Sequence, residues 1–207
     1  IAPALPTIAD APHGPAFLRT QADIVQGSRT LYNLCAEGKD KSMSVDLEGV
    51  RLGSGGKAAT IQISIDMSEG KRCVYVFDLL GSSGAFALGA QGEGTLRSLF
   101  ESSAVTKVLH CCHGDGGALF YEYGIELNNV FDTGVADSMI LYAHPNKPRR
   151  LDKVLRTWLG KRGILTHKGE FDDYTLFMKR PLRLDAFTYS YEDVTLGNQV
   201  YHRLASQ

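Results

Sequence analysis

The sequence predicts an α/β domain on one mixed sheet, three antiparallel strands followed by parallel ones, flanked by helices. Three observations carry that expectation. Between Ala58 and Asp66, Ile61, Ile63 and Ile65 alternate with Gln62 and Ser64, the period of two that puts one strand face in a core. Strand-like runs at Ser42–Leu47 and Arg72–Leu79 flank it, separated by Gly53, Gly55 and Gly56 on one side and Ser68-Glu69-Gly70 on the other, which predicts a meander. Beyond Thr95 short apolar runs alternate with helical segments, the rhythm of parallel strands joined by crossover helices.

In chain order, residues 1–19 hold four of the seven prolines and read as an extended N-terminal arm. Residues 20–207 read as a single domain with its core over about 43–204. Ile24, Val25, Leu31, Leu34 and Cys35 predict a helix from about Gln21 to Ala36, stopped by Gly38. After the meander, helix is expected at Thr95–Phe100, strand at Val105–His110 and helix at Gly116–Tyr123. A short fifth strand is expected at Val130–Phe131, then helices at Thr133–Tyr142 and Leu151–Leu159 and one long helix over Leu184–Leu204.

Composition narrows the function classes. The 207 residues are 43% hydrophobic and 22% charged, with no apolar run long enough to span a bilayer, so no membrane partner is expected. The four cysteines show no disulfide spacing, which fits an intracellular setting, cytoplasm or nucleus ahead of an organelle. The chain opens on Ile1 rather than Met and reads as a fragment, with further domains or a targeting signal expected outside it. A formal net charge of −1 means that any nucleic-acid contact must come from a local patch or from bound cations.

Acidic residues recur where sites form. Asp46 and Glu48, two apart on the first strand, share one face and repel unless a cation lies between them. Asp115 follows a strand end in the run Lys107–Leu119, at the start of a helix. Tyr189 and Asp193, four apart, share one face of the last helix. Between Ala143 and Arg183, eleven Lys/Arg face four acids, a candidate phosphate track including Arg149, Arg150, Lys179 and Arg180, with Phe171 and Tyr174 as candidate stacking surfaces. His110-Cys111-Cys112-His113 lacks a second ligand pair at zinc spacing, and Gly53–Gly56 lacks the lysine and helix of a phosphate loop.

Taken in order and spacing, these motifs resemble the four-acid (DEDD-type) 3′→5′ exonucleases, in the RNase D-like subclass with tyrosine in its third motif. The sister subclass has histidine where Thr188 stands here. Asp46–Gly53 followed by Ile61-Gln62-Ile63, with Val130–Thr133 and Arg180–Leu182, is similar to the Egalitarian-type branch, although His110–His113 departs from it. The resemblance implies a ribonuclease H-like fold of five strands and a 3′→5′ exonuclease acting on single-stranded RNA, or DNA, to give nucleoside 5′-monophosphates. It implies two Mg²⁺ or Mn²⁺ ions held by Asp46, Glu48, Asp115 and Asp193, with Asp46 shared, and Tyr189 orienting the attacking water. Substrate contacts are expected at Leu47, Gly49 and His110 besides the basic residues. The alternative expectation is an exonuclease-like RNA-binding or scaffold module, weak or inactive, with protein partners reached through the arm or missing domains.

Overall fold

The computed structural model describes residues 4–38, 41–141, 147–160 and 174–207, apart from the side chains of Ser82, Ala85 and Phe86. Among these residues, strands β1 (Ala16–Leu18), β2 (Ser42–Val50), β3 (Lys57–Asp66), β4 (Arg72–Asp78), β5 (Thr106–Leu109) and β6 (Val130–Asp132) form one sheet in the order β1-β4-β3-β2-β5-β6. β2, β3 and β4 are the antiparallel meander, and β5 and β6 extend it in parallel. The mixed α/β class is as expected, but the strand count is corrected from five to six. Residues inside the expected arm pair parallel with β4, Phe17 opposite Val76, and Val74 N–H donates to His13 O at 2.9 Å. A three-residue strand directly after Pro15 has too few positions to show a period.

Helix α1 (Gln21–Glu37) starts where the Thr20 hydroxyl accepts from Asp23 N–H. Its buried residues Ile24, Leu31 and Cys35 pack on the sheet with α2 (Ser82–Gly89), α3 (Leu96–Glu101) and α4 (His113–Tyr123). The core between them takes the apolar positions of the meander: Val45 and Leu47, then Ile61, Ile63 and Ile65, then Tyr75 and Phe77. Burying each of these side chains is worth about 1.5–3 kcal/mol. Two starts shift: α4 begins at His113, so Asp115 sits inside its first turn, and α2 was not expected from its Gly/Ser-rich sequence.

On the opposite side, α5 (Thr133–Ile140), α6 (Leu151–Leu159), α7 (Leu184–Thr195) and α8 (Gly197–Ala205) complete the layers. The expected single last helix is two. Leu196, at φ −114°, leaves the helical conformation, and Gly197 presses on β2, where a Cβ would lie 1.8 Å from Ser44 Oγ. The register of β2 on β3 slips between Glu48 and Gly49. Gly49 is required there because a Cβ would fall 2.2 Å from Lys57 O. No helix among the described residues is long and apolar enough to cross a membrane.

Candidate active site

The alternation of β2 sends Val45 and Leu47 to the core and Asp46 and Glu48 to the face covered by α7. There Asp193, one turn after Tyr189 on α7, meets them. One carboxylate oxygen from each of Asp46, Glu48 and Asp193 lies within 4.8 Å of the others. Glu48 is buried and Asp46 half-buried. Three hard oxygen donors that close repel one another strongly unless a cation joins them, so the donor set fits a divalent ion of the Mg²⁺ or Mn²⁺ kind.

These acids line a cavity of about 540 Å³ whose wall also includes Leu47, Gly49, His110 and Tyr189. That is room for a nucleotide-sized group. Tyr189 is 8% exposed and tilts against Phe177 at 5.9 Å between ring centroids. Burial, and then the charges of Asp193, Glu48 and Asp46, push its hydroxyl well above the ordinary tyrosine range, so it stays protonated. The His110 ring meets Thr133 Oγ1 at 2.9 Å, and that hydroxyl donates to Leu109 O at 3.1 Å. The hydroxyl proton is thus committed, which makes His110 Nδ1 the donor to Thr133. The lining adds Arg51, Leu52, Leu151 and Tyr174, of which the sequence had flagged only Tyr174, as a stacking surface. Arg51 is exposed at the end of β2 and holds a left-handed backbone at φ 49°. Its one sequence signal was a cation three residues after Glu48.

Asp115 is the sequence-predicted acid that does not join this group of three. It is buried in the first turn of α4, and burial, then the charge of Asp132, pushes its carboxyl up to about 7. Asp132 keeps its own charge because Cys111, Cys112, Gly134 and Val135 all donate backbone N–H groups to it, at 2.8–3.1 Å. Those bonds outweigh burial and hold Asp132 below the usual carboxylate range. An acid raised above its unfolded value binds more protons in the fold than in the open chain. Asp115 therefore takes stability away as pH rises from about 4 to about 7, and the loss is complete above that. In EDTA, Asp115→Asn is expected to be more stable than wild type at pH 8, on the order of 2 kcal/mol, with the gap closing by pH 4–5. Urea melts at the two pH values measure it, and equal gaps at both would refute the buried-acid account.

Two arginines of the expected basic track, Arg149 and Arg180, hold internal acids. Arg180 clamps Asp78 through two bonds, Nε–Oδ2 at 2.9 Å and Nη2–Oδ1 at 2.6 Å, and donates to Ala59 O and Phe177 O. Arg149 likewise grips the fully buried Asp137 at 2.5 and 2.9 Å, beside Trp158 Nε1 at 2.7 Å. Burial raises the Asp137 carboxyl, but these donors outweigh it and hold it low. Both guanidinium groups thus pair with internal acids. Arg150 makes an exposed pair with Asp152 at 3.3 Å, and Lys179 is exposed. Phe171 and the lysines and arginine at 161, 162 and 168 lie outside the described residues. Cys111 and Cys112 join no metal-binding group among the described residues, and burial pushes the Cys112 thiol up to about 12.

The chain matches the family model described as 3′-5′ exonuclease over residues 22–207 and belongs to that family. Mouse piRNA biogenesis protein EXD1 is 35% identical over 100 residues, which are 48% of this chain and 16% of that protein. The Egalitarian protein homolog of Caenorhabditis elegans is 31% identical over 107 residues, 52% of this chain and 17% of that one. The matched region thus spans less than a fifth of either relative. Trypanosoma brucei RNase D in complex with RNA U12 shares the fold at a TM-score of 0.71 and 18% identity, over 92% of this chain and 63% of that one.

Proposed function

We propose that this domain is a metal-dependent 3′→5′ exonuclease that hydrolyses single-stranded RNA, with DNA the second choice, to nucleoside 5′-monophosphates. The observation that carries the reading is the convergence of Asp46, Glu48 and Asp193 within 4.8 Å in a cavity that Tyr189 also lines. When bound there, two Mg²⁺ or Mn²⁺ ions would supply a hydroxide near neutral pH and neutralise charge on the leaving oxygen. Asp46, Glu48 and Asp193 hold and orient the cations, and Asp115 adds its charge once ionised. Tyr189, kept protonated, orients the attacking water by hydrogen bonding rather than by taking its proton. Arg51 at the cavity wall offers a guanidinium to a phosphate, and exposed Tyr174 offers a ring to a base. The choice of RNA follows the likeness to an RNase D bound to RNA. We place the protein inside the cell, with protein partners reached through its N-terminal residues or through further domains.

Incubating 5′-labelled single-stranded RNA with the chain and Mn²⁺ is expected to give a ladder of shortened products that EDTA prevents. Tyr189→Phe should slow turnover roughly 10- to 1,000-fold with little change in KM, since only the orienting hydroxyl is removed. Full-rate turnover by this variant would take Tyr189 out of the chemistry. A second reading has one observation in its favour: Asp115 stands outside the acid trio and is raised to about 7. A folded chain that yields no ladder at pH 8 would favour that reading, a weak or inactive RNA-binding or scaffold module.

A further inference from the structure

The sheet face beneath α7 and α8 is polar, which is unusual for a covered face. Along β3 it carries Thr60 and Gln62, both 0% exposed. Neither Thr60 Oγ1 nor either amide atom of Gln62 has a hydrogen-bond partner among the described residues. Buried amides and hydroxyls are nearly always satisfied, and an orphan in a native core calls for a reason. A Leu at position 62 would fill the space without leaving such groups unpaired.

The strand register supplies the reason. Gln62 lies directly across from Asp46, and Thr60 directly across from Glu48. Opposed residues on antiparallel strands point to the same face, with their Cβ atoms about 4.5–5.5 Å apart. Each of the two acids that β2 contributes to the site is therefore backed by one orphan polar side chain on β3. Ligating carboxylates are held in place by outer hydrogen bonds, and loss of such a bond weakens ion affinity by roughly 10- to 100-fold.

We propose that Gln62, with Thr60 beside it, is a positioning residue that orients Asp46 and Glu48 for cation binding. The inference rests on the acid trio being a metal site. The Gln62 amide N–H and the Thr60 hydroxyl are the donors, and the carboxylate oxygens of Asp46 and Glu48 that face β3 are the acceptors. The donors on β3 have no partner among the described residues. A bound ion would draw the carboxylates together, and the donors would hold the oxygens that do not touch it.

Mn²⁺ alone, titrated calorimetrically into wild type, Gln62→Met and Thr60→Val, tests this, with melting in EDTA as the second readout. Methionine and valine keep side-chain shape and remove the donors. Expected is a Kd for Mn²⁺ roughly 10- to 100-fold weaker in Gln62→Met, with a melting temperature in EDTA equal to wild type or higher. A residue that merely supports the fold would give the opposite pattern, lower melting and unchanged Mn²⁺ affinity, and that result overturns the proposal. Should Gln62→Met not fold, Thr60→Val carries the test with the same two outcomes. Wild type that binds Mn²⁺ while both variants bind it equally well rejects the positioning role and leaves the metal site standing. Wild type that binds no Mn²⁺ rejects the metal site and this inference with it.

Discussion

Asp46→Asn is expected to abolish 3′→5′ cleavage while the fold survives, and Asp193→Asn should do the same. Asn keeps one carbonyl oxygen but removes a negative charge from a trio packed within 4.8 Å, which weakens its hold on a divalent ion. A fall of roughly 10³-fold or more corresponds to about 4 kcal/mol of lost transition-state stabilisation. The fold should not suffer, because three carboxylates that close repel one another and the amide removes one charge from the group. Melting in EDTA is therefore expected to match or exceed wild type. Adding Mn²⁺ should raise the melting temperature of wild type, which binds the ion only when folded, and leave the variant unmoved. A purified Asp46→Asn protein that cleaves at the wild-type rate would contradict the assignment of the site.

Arg180→Ala should be the most damaging change to stability, by about 3 kcal/mol, because it strips buried Asp78 of its two-bond partner and leaves it only the Leu80 N–H at 3.0 Å and the exposed Arg19 at 3.8 Å. The Arg180–Asp78 pair is only 14% and 3% exposed at its two side chains, and the guanidinium also stands over the Phe17 ring at 5.7 Å. In this way Arg180 joins the segment before α7 to β4, to the β3 backbone at Ala59 and to β1. The 3-10 turn Tyr174–Met178 lies just ahead of it, with Phe177 against Tyr189. Urea denaturation is expected to show a lower midpoint for Arg180→Ala, and turnover should drop with it as Tyr174 and Tyr189 lose their seat. Replacing both partners by apolar residues should recover much of the stability, since no unpaired charge then stays buried. A loss below about 1 kcal/mol would mean the pair behaves as a surface ion pair.

The sequence made the meander legible because Ile61, Ile63 and Ile65 must point one way, and the same alternation put Asp46 and Glu48 together on the other face. The spacing of Tyr189 and Asp193 likewise fixed one helix face. What stayed hidden depends on distant parts of the chain. Ala16–Leu18 becomes a strand only because β4 offers a free edge. The break at Leu196 follows from Gly197 meeting Ser44, some 150 residues away in sequence. The pairing of Arg180 with Asp78 is hidden because local charge gives no hint of a partner across the fold. Asp115 looked like an equal member of the acid set because neither its burial nor its neighbour Asp132 shows in local sequence. The orphan amide of Gln62 was hidden inside the very alternation that revealed the strand.

The central claim is that Asp46, Glu48 and Asp193 form a cation site, and a calorimetric titration of Mn²⁺ into metal-free protein tests it most directly. The account predicts saturable binding by wild type that is lost in Asp46→Asn. Wild-type protein that takes up no Mn²⁺ at millimolar concentration, or an Asp46→Asn variant that binds it equally well, would contradict it.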